Sequence, residues 1–399
     1  MGNFKKSMMT AALAFTALMP TAVFAADEGE QLEGKQLTAR SSTVDTYEVP
    51  QVMKRFTYSS DLSFEYPDAV RGIYVTGPSA GGAKFDSLVK MVDETDLNAM
   101  VIDIKDDHGN ITYTPDEKSP YYDIAQNYID DPQKMLEELE KHKIYPIARI
   151  VVFKDTLLAE KKPELSFRNA DGSVWKNGRG EAFVSPFQHE VWEYNVELAK
   201  EAAMMGFQEI QFDYVRFPEG FETKDDELQY DLGDYTDEKT DNVQKRVNAV
   251  TDFVAYAREE LSNYDVQTSV DIFGYAATLD EAPGIGQNFS KISSNVDVIS
   301  SMIYPSHWTS YFGLDVPNDH PYELTAEYAK VENDVLGKLE NKPVSRPWIQ
   351  DFEAPWVSSK QYGKQEVEDQ IRALNENGID EFLIWNAANN YTEGVDFTP

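Results

Sequence analysis

Glu209-Ile210-Gln211-Phe212-Asp213-Tyr214-Val215-Arg216-Phe217 is a short apolar run interrupted by two acids, an amide and an arginine. Its Ile, Phe, Val and Tyr content reads as a buried strand, and Pro218 closes it. Upstream, Val191, Tyr194, Leu198 and Ala202 recur at helical spacing, and Gly206 stands where a left-handed residue ends such a helix. The unit is helix, glycine, strand, loop. Along the strand Gln211 and Asp213 share one face, while Arg216 falls at odd spacing and belongs to the bend that follows.

The same grammar repeats on both sides. Candidate strands lie at residues 72–76, 100–105, 145–153, 209–217, 267–275, 296–304, 345–352 and 381–386. Helix-patterned stretches fall between most of them, marked by Phe85, Leu88, Val89 and Val92, by Met135, Leu136 and Leu139, by Val247, Val250, Val254, Ala257 and Leu261, by Tyr328, Val331, Val335 and Leu336, and by Val367, Ile371 and Leu374. Eight strands alternating with helices predict an α/β fold, a (β/α)₈ TIM barrel. An open doubly wound sheet is the rival. It usually carries a GxGxxG turn after its first strand, and Gly77-Pro78-Ser79-Ala80-Gly81-Gly82 lacks that spacing. The fifth and sixth strands are too close for more than a little helix, and the stretch after Asn386 is too short for a full last one.

The chain has 399 residues with a formal net charge of −34, from 36 basic and 70 acidic side chains. Such acidity argues against nucleic-acid phosphates and anionic lipid surfaces as partners. With 41% hydrophobic and 12% aromatic residues the chain is too apolar for a disordered acidic tail. Cysteine is absent, which removes disulfides, thiolate metal sites and a Cys nucleophile, and the five histidines form no close pair. No cofactor is expected. Lys5 and Lys6, an apolar run from Met8 to Phe24 and the small residues before Ala26 have the order of a secretory signal peptide cut after Ala25. We therefore expect a signal peptide over residues 1–25, a flexible acidic leader over 26–48, a packing segment over 49–70 and the barrel over 71–399. The product would be secreted or held in the cell envelope, with no membrane span after cleavage.

In such a barrel, chemistry sits where the strands end. Asp213 and Asp271 each interrupt an apolar strand, where a lone carboxylate is costly to bury without a partner. Asp213 has two readings: a structural ion pair with Arg149 or Arg216, or one half of an acid pair with Asp271 on the adjacent strand. Glycosidic cleavage needs two carboxylates, ~5–5.5 Å apart for retention and ~6.5–9.5 Å apart for inversion. Glu219 and Asp351 are alternative partners. Asp103, Lys105, Arg149, Arg216, Tyr304, Gln350, Asp351 and Asn386 stand at other strand ends as candidate substrate contacts, although Asp103, Lys105 and Asp106 suit a satisfied charge cluster equally well. Trp175, Trp308 and Trp385 add flat faces for sugar rings, alongside Trp348 and Trp356 in similar positions. Ordinary packing explains any single one of them.

Several of these stretches resemble a bacterial family of glycosyl hydrolase domains. The resemblance rests on Arg71-Gly72-Ile73-Tyr74-Val75-Thr76, on Val101-Ile102-Asp103-Ile104-Lys105-Asp106, on the loop Arg168-Asn169-Ala170-Asp171-Gly172-Ser173-Val174-Trp175, and above all on Gln211-Phe212-Asp213-Tyr214-Val215-Arg216-Phe217-Pro218. It spans roughly residues 71 to 391 and implies a TIM barrel related to α-glycosidases and α-amylase-like enzymes. Carried over, it makes Asp213 the nucleophile and Asp271 the acid/base. One departure is visible: Arg216 follows the strand-four Asp by three positions, whereas in the amylase pattern an Arg precedes it by two. The resulting expectation is an exported glycoside hydrolase acting on an extracellular or cell-envelope polysaccharide. A non-catalytic carbohydrate-binding barrel is the alternative, and a cation-dependent hydrolase using Asp103, Asp106 and Asp107 a third reading.

Overall fold

The structure, a computed structural model, describes residues 57–399 apart from positions 116 and 120. The expected signal peptide, the leader and the first residues of the packing segment lie outside the described residues. From Arg71 onward strand and helix alternate as the pattern predicts. The strands are β1 (Arg71–Val75), β2 (Ala99–Lys105), β3 (Tyr145–Val151), β4 (Glu209–Asp213), β5 (Gln267–Phe273), β6 (Val298–Met302), β7 (Trp348–Gln350) and β8 (Phe382–Trp385). Each is parallel to its neighbours, and β1 pairs with both β8 and β2, so the sheet closes into an eight-stranded barrel. A two-residue piece, Val344–Ser345, leads into β7 along β6. After β2 the chain makes a small excursion, Ile111–Tyr113 beside Ala125–Ile129, that extends the sheet outward.

Among the described residues, besides the short pieces Gly77–Ala80 and Thr156–Lys161, seven helices pack outside: α1 (Lys84–Asp93), α2 (Pro132–Lys141), α3 (His189–Met205), α4 (Asn242–Leu261), α5 (Phe289–Ser293), α6 (Pro321–Leu336) and α7 (Lys364–Glu376). Their apolar faces bury against the strands, as with Phe85, Leu88, Val89 and Val92 of α1. Asp131 and Asp241 accept backbone N–H groups at the starts of α2 and α4. α5 is five residues long, as the short connection between β5 and β6 requires. Among the described residues no helix follows β8; Val395 and Phe397 bury there instead, and no helix is long and apolar enough to cross a membrane.

Residues 57–70 run across the strand N-termini. Tyr58 exchanges backbone hydrogen bonds with Asn263 and Asp265, and Leu62 lies where a Cβ on Gly206 would approach it to 2.8 Å. Gly206 also has φ +118°, so both space and backbone demand glycine at the end of α3. Beneath the barrel Arg346 is fully buried, donating to Glu209 at 2.8 and 2.9 Å, to Glu381 at 2.8 Å and to the Tyr66 hydroxyl at 2.8 Å. This cluster closes the bottom.

The core has two layers. One fills the space between strands and helices. The smaller one, inside the barrel, joins Tyr74, Val101, Ile147, Tyr304, Trp348 and Leu383. Polar groups interrupt it, with Gln211 donating to Ser300 at 3.3 Å. The interior is therefore a polar column with apolar walls, which bears on how its charges are held.

Candidate active site

A cavity of about 780 Å³ opens at the C-terminal ends of the strands. Arg149, Asp213, Asp271, Tyr304, Trp348 and Trp385 line its lower part, while Tyr214, Arg216, Phe273, Tyr275, His307 and Trp308 contribute to its upper walls. The register that pairs Phe212 with Val270 brings Asp213 and Asp271, one residue further on each strand, to the same level. Adjacent strands run about 4.8 Å apart.

The two carboxyls have different surroundings. Asp213 Oδ2 accepts from Arg149 Nε at 2.9 Å and Nη2 at 2.6 Å, and its Oδ1 accepts the N–H of Tyr214. Three donors aimed at one acid fix its orientation. Tyr214 delivers its N–H from a left-handed backbone, φ 52°, which is uncommon for a bulky residue. Asp271 Oδ1 accepts from Trp348 Nε1 at 2.7 Å, and among the described residues no cation bonds to it. Burial, and then the neighbouring charge of Asp213, push its pKa well above the ordinary carboxylate range. The Tyr304 phenol is likewise driven up, by burial and then by the charges of Asp271 and Asp213, while burial lowers His307.

Arg149 is the hub beneath the cavity. Besides Asp213 it donates to Asp103 at 2.7 Å and to Asp107 at 2.8 Å. Asp103 also accepts from the Tyr74 hydroxyl at 2.6 Å. Burial raises its pKa to about 7 against the pull of Arg149 and Tyr74. Asp107 is held at about 2: burial pushes it up, but Arg149 and Lys154 outweigh that. Lys154 stands 3.0 Å from Asp107 and 2.9 Å from Glu181. Tyr74 stacks on Trp385 with ring centres 4.0 Å apart, and the guanidinium of Arg149 lies 5.3 Å from both rings.

Of the residues singled out in the sequence, Asp213, Asp271, Arg149, Arg216, Glu219, Tyr304, Trp308, Trp348 and Trp385 meet at this cavity. Six of the candidate substrate contacts, and Asp106, do not line it. Asp103 lies below, bonded to Arg149 and Tyr74. Lys105 is on the outer side of the sheet, 2.6 Å from Asp155 and 2.9 Å from Asn195, because the ladder with β3 slips between Asp103 and Lys105 and reverses the alternation. Trp175 packs half-buried against the outer core. Gln350 is spent on Ser306, Phe352 and Asn318. Asp351 accepts from the Thr392 backbone and hydroxyl, and Asn386 donates to the carbonyls of Asp351 and Asn390. Those bonds fasten the loop after β8. Asp106 caps its own turn by accepting the N–H groups of His108, Gly109 and Asn110. Among the described residues no three His, Cys, Asp or Glu side chains group as a metal site.

The sequence reading named Trp348 only as one more flat face, and it left Tyr214, Tyr275 and His307 out. Trp348 had a usable signal, being the largest side chain of a buried strand and in need of a partner for its N–H. The Tyr214 backbone conformation left no such trace.

The family model described as "Putative glycosyl hydrolase domain" matches residues 72–391. A hypothetical protein from Ruminiclostridium thermocellum ATCC 27405 is 32% identical, over 50% of this chain and 96% of its own, with a TM-score of 0.42. The PgaB (BpsB) glycoside hydrolase domain from Bordetella bronchiseptica is 14% identical, over 80% of this chain and 94% of its own, with a TM-score of 0.56. An α-galactosidase from Thermus thermophilus is 10% identical, over 82% and 60%, with a TM-score of 0.48. No curated protein matches the chain. The second of these similarities shows the barrel fold, and the family match covers nearly the whole barrel: this chain belongs to that family of glycosyl hydrolase domains.

Proposed function

We propose that the protein is a glycoside hydrolase in which Asp213 and Asp271 form the reacting pair. One observation carries the reading: two carboxyls at one level of the cavity, one held by a guanidinium and one buried against an indole N–H, where burial raises its pKa. Asp213 supplies the lone pair that attacks the anomeric carbon. Asp271, its Oδ1 fixed by Trp348, carries its proton on Oδ2 and gives it to the departing glycosidic oxygen. The same group then takes a proton from the water that releases the sugar, and its raised pKa favours this return. Placement on adjacent strands suits the shorter carboxyl spacing of the retaining route. Arg149 orients Asp213, while Tyr304, Trp385 and Arg216 bound the space for the ring. The substrate we favour is a polysaccharide outside the cytoplasm, in keeping with the N-terminal pattern and the acidic composition.

The test is reducing-end release from a panel of polysaccharides and nitrophenyl glycosides, with Asp213→Asn as the variant. Hydrolysis should fall by at least about 10³-fold while the melting curve stays close to the wild type. Collapse of folding would instead identify Asp213 as a structural partner of Arg149. A wild type that binds glycans without cleaving them would make the protein a carbohydrate-binding barrel.

A further inference from the structure

Trp356 has no part in the chemistry above, yet it is the most exposed large hydrophobic side chain among the described residues, at 70%. It lies on the connection from β7 to α7, at the same end of the barrel as the cavity. The turn that carries it is braced. The N–H groups of Val357 and Ser358 donate to the Ala354 carbonyl at 2.9 and 3.3 Å, and Ala354 itself is buried. The Ser358 hydroxyl donates to Asp319 at 2.6 Å and accepts from Asn318 at 2.9 Å. Asn318, fully buried, in turn accepts from Gln350 at the end of β7. An indole held in water on a fixed turn gains nothing for the fold, and its stacking area is already organised for a partner.

Aromatic rings connect this turn to the cavity. Tyr304 and His307, both lining it, lie 5.8 and 6.2 Å from the ring of Phe352, the second residue of the connection. The rings thus continue from the cavity wall to the base of the turn. Apolar faces beside hydroxyl and imidazole groups suit the C–H faces and hydroxyls of successive sugars. The net charge of −34 argues against an anionic membrane as the occupant.

We propose that Trp356 is a sugar-stacking platform of an outer subsite, so that the substrate is a polymer running from the cavity over the β7 connection. This rests on the glycoside hydrolase reading and adds where the chain leaves the cavity. The test uses the full-length protein with Trp356→Ala and Trp356→Tyr. Mobility is read in native gels containing neutral soluble xylan, galactomannan, starch or hydroxyethyl cellulose, and kcat/KM is compared between polymer and nitrophenyl glycoside. Trp356→Ala should lose retardation by the polymer that slows the wild type. Its ratio of polymer to nitrophenyl-glycoside kcat/KM should fall about tenfold, as loss of one stacking contact implies, and Trp356→Tyr should restore most of both. Unchanged retardation and an unchanged ratio, with polymer cleavage still abolished by Asp213→Asn, would overturn the platform and leave the hydrolase reading intact. Equal losses on polymer and nitrophenyl glycoside would also overturn it, by showing an effect on the cavity itself. Absence of both retardation and Asp213-dependent cleavage across the panel would end both.

Discussion

Replacing Asp103 with Asn should stabilise the protein above neutral pH, even though this carboxylate sits 2.7 Å from a guanidinium. Arg149 is surrounded by three acids, Asp103, Asp107 and Asp213, and the nearby Lys154 is shared between Asp107 and Glu181. The acids outnumber the cations. Burial accordingly leaves Asp103 with a pKa of about 7 against an ordinary value of 3.8. A carboxyl raised in the folded state contributes stability that is complete below its unfolded pKa and is lost as pH rises through the folded one. Each pH unit between those values is worth about 1.4 kcal/mol per proton, so the wild type gives up on the order of 4 kcal/mol from this group between pH 4 and pH 8. Asn has the shape of the protonated acid: its oxygen can accept from Arg149 and its amide can donate to the Tyr74 oxygen. Removing one partner of a buried ion pair ordinarily costs about 3–5 kcal/mol, because the other charge is left bare. Arg149 is not left bare, since Asp213 and Asp107 still accept from its Nε and Nη2. Urea unfolding of both proteins at pH 5 and pH 8 measures the balance. The difference should move by about 3 kcal/mol in favour of Asp103→Asn between the two. A difference that is constant with pH, or that moves against the variant, would refute the reasoning and show that attraction to Arg149 outweighs burial.

Three further outcomes are expected. Trp348→Phe removes the hydrogen bond that lowers the pKa of Asp271; the pKa then rises further, and the basic limb of the kcat/KM profile should move to higher pH, whereas an unmoved limb would take the acid role from Asp271. Arg346→Met strands Glu209 and Glu381 at the barrel bottom and should cost about 3–5 kcal/mol in urea unfolding at pH 7, with a loss under about 1 kcal/mol marking the cluster as energetically idle. Protein recovered from the culture medium should begin at Ala26 by intact mass; retention of residues 1–25 would contradict signal cleavage.

Alternation made much of the barrel legible, and it failed where the ladder is irregular. Gln211 and Asp213 lie on one face and both enter the interior, as the two-residue period demands. The same period applied to Asp103 and Lys105 puts both inside, but the slip against β3 sends Lys105 to the helices. A bulge of that kind depends on the neighbouring strand and leaves no local mark. Partner choice is similarly non-local. Gln350 and Asp351 sit at a strand end, where function was expected, yet Ser306, Asn318 and Thr392 claim them first. The roles proposed for the acids follow from how the interior distributes its cations. Arg346 is consumed at the bottom by Glu209 and Glu381, and Lys105 faces outward to Asp155. Arg149 then bonds Asp103, Asp107 and Asp213 but not Asp271. Burial then raises the pKa of Asp271, whose Oδ1 accepts the indole N–H of Trp348, while Asp213 is clasped by a guanidinium and a backbone N–H. In the proposed mechanism the division of labour between Asp213 and Asp271 thus depends on where a single arginine points, which is set by the register of β2, β3 and β4 together.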